Sequence, residues 1–269
     1  MNLPRIDNKN LHNETHIWIV DLDQWNLSCL EAVQTLPETE AKKAGRFRFE
    51  THRNRYIKGH FMLRSLIGMY LDIDFYDQEF HANRYGKPAM QTFHENNSIH
   101  FNISNSENIY VCAFREKGEI GIDIERIHDL PDMDQIVERF FSFDEKKVFR
   151  SLQEQNRKHT FFRYWTRKEA LLKAMGVGLS FPLNQVDVHA ENNCSSPVFT
   201  KSIGMESLIS DLNIFNGFAA AIALEDKHTD YNTRLLYITF DNKISENLPM
   251  KNHHNSNIFF GAAETLAFV

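Results

Sequence analysis

The sequence predicts an α+β fold with two halves packed side by side. The chain has 269 residues, of which 42% are hydrophobic and 12% aromatic, so it can bury a sizeable core. Strand and helix patterns are mixed along it, and the order strand, helices, strands occurs twice, about 110–120 residues apart. We expect the halves at residues 16–118 and 119–240, after an extension at residues 1–15 and before an unassigned tail at residues 241–269.

The elements of the first half follow from hydrophobic periodicity. Residues 16–21 (HIWIVD) predict a strand, and a helical pattern with interruptions extends from a first-turn proline at 37 to about residue 71. Apolar residues at 99, 101 and 103 alternate with polar ones, which predicts a half-buried strand. Residues 109–114 (IYVCAF) are apolar throughout and predict a central strand.

The second half repeats this order. A strand is predicted first, then two helices of which the second ends at Gly176, and then two late strands. These elements are expected at residues 120–127, 144–152, about 160–175, 217–224 and 235–240. Residues 241–257 are polar and predict no regular structure, and the apolar residues 258–269 have no predicted place.

Charge and cysteine usage argue against a nucleic-acid-binding, disulfide-bonded, zinc-binding or membrane protein. The net charge is −6, yet residues 42–64 contain eight Lys or Arg and one Glu, a local charge of +7 that leaves −13 for the rest. A basic segment on an acidic chain favours a local anion site over broad nucleic-acid binding. Three scattered cysteines form no disulfide or zinc pattern, and neither a signal-peptide core nor 18 consecutive apolar residues occur. We therefore expect a cytoplasmic protein without membrane contacts.

The stretch GIDIE at residues 121–125 carries two carboxylates one residue apart. Side chains alternate along a strand, so Asp123 and Glu125 share one face. Two close carboxylates repel each other unless a positive charge lies between them, and Mg²⁺ suits an all-oxygen site. The alternative is that this face is solvated.

A second stretch, WTRKEALLK at residues 165–173, has helical spacing. Trp165, Glu169 and Lys173 lie four residues apart on one stripe, and the tryptophan indicates that this stripe is partly buried. Buried charges need partners, which a metal and a phosphate would provide. The alternative is a surface Glu169–Lys173 pair, which would stabilise the helix by about 0.2–0.5 kcal/mol.

A third set of polar residues lies in the first half. Gly86-Lys87-Pro88 reads as a turn, and residues 99–106 (IHFNISNS) offer Asn102, Ser104, Asn105 and Ser106. These side chains either line a polar ligand or form a strand end and its turn.

In order and spacing, these stretches together with RFFSFDE at residues 139–145 resemble the 4'-phosphopantetheinyl transferases of the surfactin-synthetase-activating type. That family combines a (V/I)G(I/V)D(I/V)E strand with (F/W)xxKE(A/S)xxK about 40 residues later, here residues 120–125 and 165–173. The resemblance covers roughly residues 16–240.

The resemblance implies a monomer of two similar α+β halves in a pseudo-twofold relation, with coenzyme A in the cleft between them. Such enzymes transfer the 4'-phosphopantetheine arm of coenzyme A to a serine of an apo acyl or peptidyl carrier protein and release adenosine 3',5'-bisphosphate. The resemblance implies neither a nucleic-acid partner nor a membrane partner.

Site roles follow from the same resemblance. Asp123, Glu125 and Glu169 would hold Mg²⁺, with Mn²⁺ as an alternative ion. Glu169 or Glu145 would act as the base, and Lys173 would stabilise the departing phosphate. Coenzyme A contacts are implied for Lys43, Arg55, Lys87, Ser104, Asn105, Lys168 and Lys173.

One residue departs from the family pattern, since Asn105 occupies the position of the usual histidine. An amide carries no charge but still donates hydrogen bonds, so we expect weaker anion binding without loss of activity. This departure keeps open a catalytically impaired module that binds coenzyme A or carrier protein. Without the resemblance, a different metal-dependent enzyme acting on phosphate esters, such as a nuclease, also fits the residues.

Overall fold

The fold is seen in a computed structural model. It describes residues 11, 14–74, 78, 80–85, 87–90, 99–178, 181–189, 198–202, 205–225, 232–238 and 244–247. Gly86 of the predicted turn and the apolar segment at 258–269 lie outside these residues.

The first half contains five strands and three helices among the described residues. They are β1 (Glu14–Asp21), α1 (Cys29–Thr35), α2 (Glu38–Ala44), α3 (Glu50–Leu71), β2 (Phe80–Ala82), β3 (Pro88–Met90), β4 (His100–Ser106) and β5 (Ile109–Arg115). The predicted strands at 16–21 and 109–114 are confirmed. The long helical pattern is also confirmed, and it is interrupted between α2 and α3.

The second half opens with a strand and three helices. They are β6 (Ile120–Arg126), α4 (Met133–Phe140), α5 (Phe143–Ser151) and α6 (Glu154–Met175), followed by a 3-10 turn at Leu183–Gln185. The later strands are β7 (Val198–Ser202), β8 (Met205–Asp211), β9 (Phe218–Glu225), β10 (Asn232–Ile238) and β11 (Ile244–Asn247). No helix in the described part of the chain is both long and apolar enough to span a membrane.

Two sheets form the centre of the molecule. The first has the strand order β11-β10-β1-β5-β4, and the second has the order β6-β9-β8-β7. β10 runs parallel to β1, whereas the other pairs of both sheets are antiparallel. The two last strands therefore return to the sheet that the first half begins.

The sheets pack face to face, and helices cover their outer faces. Alternate residues of β1 point to opposite sides. Trp18 joins the cluster under α3, whereas Ile17 and Ile19 join a central cluster that also contains Ile122 and Ile124 of β6. α6 covers the far side of the second sheet, so the layers run helix, sheet, sheet, helix.

Helix boundaries have identifiable causes. Ser142 and Glu145 form a capping box at the start of α5, with side chain and backbone bonded in both directions. α6 ends at Gly176, whose φ of +65° suits the left-handed cap conformation that glycine adopts without steric cost. The prediction of Gly176 as the end of this helix is confirmed, although the helix begins at Glu154, earlier than expected.

Two expectations about strands are wrong. β4 is not half-buried, because its polar residues Asn102, Ser104 and Ser106 are buried as well as Phe101. The predicted absence of structure at 241–257 fails at Ile244–Asn247, which pairs with β10. The sequence patterns also missed α1, α4, β2, β3, β7 and β8.

Candidate active site between the two sheets

Apolar and acidic residues alternate along the GIDIE strand β6 because its two faces have different neighbours. Ile122 and Ile124 are fully buried between the sheets, whereas Asp123 lies on the side that faces α6 and is 4% exposed. α6 crosses β6 so closely that a Cβ at Gly121 would lie 1.9 Å from the carbonyl oxygen of Ala170. Glycine at 121 therefore lets the helix bring its carboxylate and lysine down onto the strand.

Lys173 of α6 bridges the two halves at this point. Its Nζ lies 2.8 Å from Asp123 Oδ1, 2.9 Å from Ser104 Oγ and 3.1 Å from the carbonyl oxygen of Ile122. Ser104 in turn donates to the same Asp123 oxygen at 2.9 Å. The lysine pairs with Asp123, so the alternative of a simple Glu169–Lys173 surface pair does not describe its position.

Polar side chains of β4 bond to β6 at regular intervals. Asn102 Oδ1 accepts from the backbone N–H of Ile122 at 3.0 Å, and Ser106 Oγ donates to Glu125 Oε2 at 2.9 Å. Ser106 also accepts from the Arg126 N–H at 3.0 Å. Side chains thereby satisfy polar groups along β6, which is the edge strand of the second sheet among the described strands.

Three carboxylates share this site and perturb one another. Burial raises the pKa of Asp123 and of Glu125 above their ordinary values. For Glu169, burial and then the charges of Asp123 and Glu125 raise the pKa to about 7. Asp123 Oδ2 and Glu169 Oε1 are buried and have no hydrogen-bond partner in the structure.

These orphaned oxygens fit a hard divalent cation, whose preferred ligands are carboxylates. Within the described ranges, however, no three Asp, Glu, His or Cys side chains are already arranged as a metal cluster. The two facts are compatible, because Mg²⁺ is commonly held by one or two carboxylates together with substrate phosphates.

A groove of about 190 Å³ adjoins Lys173. Two lysines are among its lining residues, which are Tyr85, Lys87, Asn102, Ile103, Leu172, Lys173, Gly176 and Gly178. Lys87 Nζ lies 2.5 Å from Glu119 Oε2 and 3.1 Å from the carbonyl oxygen of Ala174. Bonds from His100 and Lys87 lower the pKa of Glu119 to about 2, so this carboxylate is ionised.

Comparisons with known proteins identify the family to which the chain belongs. Residues 18–117 match the family model "4'-phosphopantetheinyl transferase, N-terminal", and residues 119–223 match "4'-phosphopantetheinyl transferase superfamily". The 4'-phosphopantetheinyl transferase HetI of Nostoc sp. is 35% identical over 178 residues, which cover 66% of this chain and 75% of HetI. The chain belongs to the 4'-phosphopantetheinyl transferase superfamily.

Two further relatives extend the comparison. The 4'-phosphopantetheinyl transferase Sfp of Bacillus subtilis is 27% identical over 200 residues, which cover 74% of this chain and 86% of Sfp. Among solved structures, the holo-[acyl-carrier-protein] synthase of Thermotoga maritima aligns with a TM-score of 0.29 and 22% identity, over 41% of this chain and 64% of that structure. The predicted membership of the Sfp-type transferase family, and with it an enzyme, is confirmed by the sequence relatives.

The structure places two of the predicted site residues of this transferase in the protein core, away from the other predicted site residues. Glu145 is fully buried, and it accepts from Ser142 N and Val188 N while pairing with Lys168 Nζ at 2.9 Å. Lys168 is also fully buried and donates to the carbonyl oxygens of Leu183 and Val186. Because every partner of this pair is internal, its placement supports a structural role and not base or phosphate chemistry.

The basic segment of the transferase lies on α2 and α3. Arg55 donates from Nε to Asp23 Oδ1 at 2.9 Å, and its side chain is 23% exposed. Lys43 is exposed, with its Nζ 5.3 Å from the centre of the Tyr56 ring. Asn105 is exposed at the end of β4. These three groups are accessible to an anion, although Arg55 would have to exchange its carboxylate partner for it.

Some site residues of the transferase were missed from the sequence. Glu119, which fixes Lys87, precedes the GIDIE strand and carried no pattern of its own. For Asn102 and Ser106 the sequence left open ligand contacts or a strand end with its turn, whereas their side chains bond to β6. Their alternation with apolar residues was the available signal, because a buried strand with polar residues on one face requires polar partners.

Proposed function

We propose that this chain transfers the 4'-phosphopantetheine arm of coenzyme A to a serine of an apo acyl or peptidyl carrier protein, in a Mg²⁺-dependent reaction that releases adenosine 3',5'-bisphosphate. The observation that carries the proposal is the convergence of Lys173 and Ser104 on Asp123 across the two halves, beside the half-buried Glu169. We expect a monomer that works in the cytoplasm.

The metal would be held by Asp123 and Glu169 through their unpartnered oxygens, with Glu125 as the third ligand. When bound, Mg²⁺ or Mn²⁺ would supply Lewis-acid stabilisation of phosphoryl charge. Ser104 and Lys173 orient Asp123 by occupying its other oxygen, Oδ1, and Ser106 orients Glu125. Such fixed neighbours hold the carboxylates in position before substrate arrives.

Glu169 is the base that we favour. In the metal-free protein its pKa is about 7, so its carboxylate accepts a proton more readily than an exposed glutamate, and a cation bound to the same carboxylate would lower that pKa. It would take the proton of the carrier serine, directly or through a water molecule. The serine oxygen then attacks phosphorus, and the bond to the adenosine 3',5'-bisphosphate oxygen breaks. Glu145 is the weaker candidate because its carboxylate is enclosed.

Cationic groups would hold the phosphates of coenzyme A. Lys173 would stabilise charge on the departing phosphate, as fixed cations do in phosphoryl transfer. Lys87 and Ser104 would contact the same phosphates, with Asn105 contributing hydrogen bonds. Lys43 and Arg55 would bind the 3'-phosphate, for which a bidentate arginine is well suited.

A mass measurement tests the proposal. The protein is incubated with coenzyme A, Mg²⁺ and an apo carrier protein, and the carrier is weighed. A mass gain equal to the phosphopantetheine arm is expected, and it should disappear in Asp123→Ala and Glu169→Ala variants that remain folded. Failure of the unchanged protein on fatty-acid and peptide-synthetase carriers would refute the proposal. Tight coenzyme A binding without any mass gain would instead support the impaired module that Asn105 leaves open.

A further inference from the structure

Asn83, which none of the roles above uses, is the hydrogen-bonding centre of the hairpin between β2 and β3. Its side-chain Oδ1 accepts from the backbone N–H of Tyr85 at 2.9 Å and from that of Lys87 at 3.0 Å. Its own backbone N–H donates to the Lys87 carbonyl oxygen at 3.0 Å. One side chain therefore fixes the tip that carries two of the residues lining the groove.

The same side chain also reaches the other half of the molecule. Asn83 Nδ2 donates to the carbonyl oxygen of Gly176 at 2.8 Å, at the cap of α6. The contact is tight, since a Cβ at Gly176 would lie 2.9 Å from Asn83 Nδ2 and 3.5 Å from Lys87 Cδ. A Cβ at Gly178 would lie 3.4 Å from Tyr85 Cβ. The hairpin tip thus rests against the end of the helix that bears Glu169 and Lys173.

Only an amide suits this position. The oxygen must accept from two backbone N–H groups while the nitrogen donates to a carbonyl, and asparagine has both groups on a short side chain. Aspartate lacks the N–H donor. Serine can close a turn through its hydroxyl, but it has no second polar group that could also reach the carbonyl oxygen of Gly176.

We propose that Asn83 is a positioning residue that sets the separation of Tyr85 and Lys87 from the end of α6, and with it the affinity of the groove for coenzyme A. This inference rests on the proposed function, because it takes the groove as the coenzyme A site. Lys87 Nζ is held by Glu119 and by the Ala174 carbonyl on the second-half side, while Asn83 holds the Lys87 backbone on the hairpin side. The lysine is therefore fixed at both ends.

The test compares Asn83→Ala and Asn83→Ser with the unchanged protein. Calorimetric titration with coenzyme A gives Kd, carrier modification at saturating coenzyme A gives kcat, and hydrogen exchange reports the amides of Tyr85 and Lys87. Asp187→Ala is the matched control, because Asp187 Oδ1 likewise accepts a backbone N–H, that of His189, in a loop that does not line the groove.

Asn83→Ala should raise the Kd for coenzyme A about tenfold, which corresponds to a loss of roughly 1.4 kcal/mol of binding free energy. The kcat for carrier modification should stay within about twofold. Amide exchange at Tyr85 and Lys87 should accelerate, and Tm should fall no more than in Asp187→Ala. Asn83→Ser should restore part of the amide protection but not the affinity, because its hydroxyl does not replace the bond to Gly176.

Other outcomes overturn the inference in recognisable ways. An unchanged Kd in Asn83→Ala, or an equal rise in Asp187→Ala, would show that the hairpin is not positioned for binding. Full recovery of affinity in Asn83→Ser would show that closing the turn suffices and that the contact with α6 is irrelevant. If the unchanged protein does not bind coenzyme A at all, both the proposed function and this inference fail. In the two preceding outcomes the unchanged protein still binds coenzyme A, so only the inference about Asn83 fails.

Discussion

Replacing Glu169 by glutamine should make the protein more stable at alkaline pH while it stops carrier modification. The carboxylate lies half-buried beside Asp123 and Glu125, and one of its oxygens has no hydrogen-bond partner. Ionising it in the folded protein is therefore unfavourable. A neutral amide of nearly the same shape removes that charge and leaves the packing of α6 unchanged.

The magnitude follows from the pKa. Folding raises the pKa of Glu169 from 4.5 to about 7, so the folded state is the one that holds the proton more tightly. Stability conferred by that proton is complete below pH 4.5 and is lost progressively as the pH rises to 7. A shift of this size corresponds to an upper limit of about 3 kcal/mol, and partial exposure of the side chain reduces the expected difference to about 1–2 kcal/mol.

Urea unfolding with a chelator present measures this difference at pH 5 and pH 8. Glu169→Gln should gain about 1–2 kcal/mol over the unchanged protein at pH 8 and much less at pH 5. Glu31→Gln serves as the control for removing a carboxylate outside the site, because Glu31 is exposed on α1. A gain for Glu169→Gln that is absent at pH 8, or identical at the two pH values, would refute the electrostatic reasoning.

Three further substitutions test other parts of the site. Gly121→Ala should destabilise the protein by about 3 kcal/mol or more, because its Cβ would overlap the Ala170 carbonyl; a normal Tm would contradict the close packing of α6 on β6. Ser106→Ala should cost about 1–2 kcal/mol in urea unfolding, since Glu125 loses its donor; no loss would mean that solvent replaces the hydroxyl. Asn105→His should lower KM for coenzyme A by adding a charged anion contact, and an unchanged or raised KM in steady-state kinetics would refute that role.

Local patterns predicted the elements that carry the chemistry. The alternation in GIDIE correctly placed Ile122 and Ile124 on one face of β6 and Asp123 on the other, because strand geometry alone dictates this. The end of α6 at Gly176 could be predicted equally well, since a left-handed helix cap favours glycine. Such features depend on neighbours within a few residues and need no knowledge of the rest of the chain.

Features that depend on distant partners were not predictable in the same way. Lys168 and Lys173 look alike in the sequence, yet α6 directs one into the core toward Glu145 and the other toward Asp123. Only the packing of α6 decides which of the two reaches the site. For Glu145, the sequence showed a carboxylate three residues after a serine, which fits a capping box as well as a base.

The return of β10 to the first sheet links folding of the two halves to formation of the site. β1 lies between β5 and β10, so the first sheet is completed only after residue 232 has been reached. The inner face of that sheet is apolar and is covered by the second sheet through residues such as Ile122 and Ile124. Neither half can therefore bury the central cluster between the sheets alone. Because Ser104 and Asp123 come from different sheets and meet only where these sheets pack, the cooperative docking that stabilises the fold also assembles the carboxylate and lysine cluster.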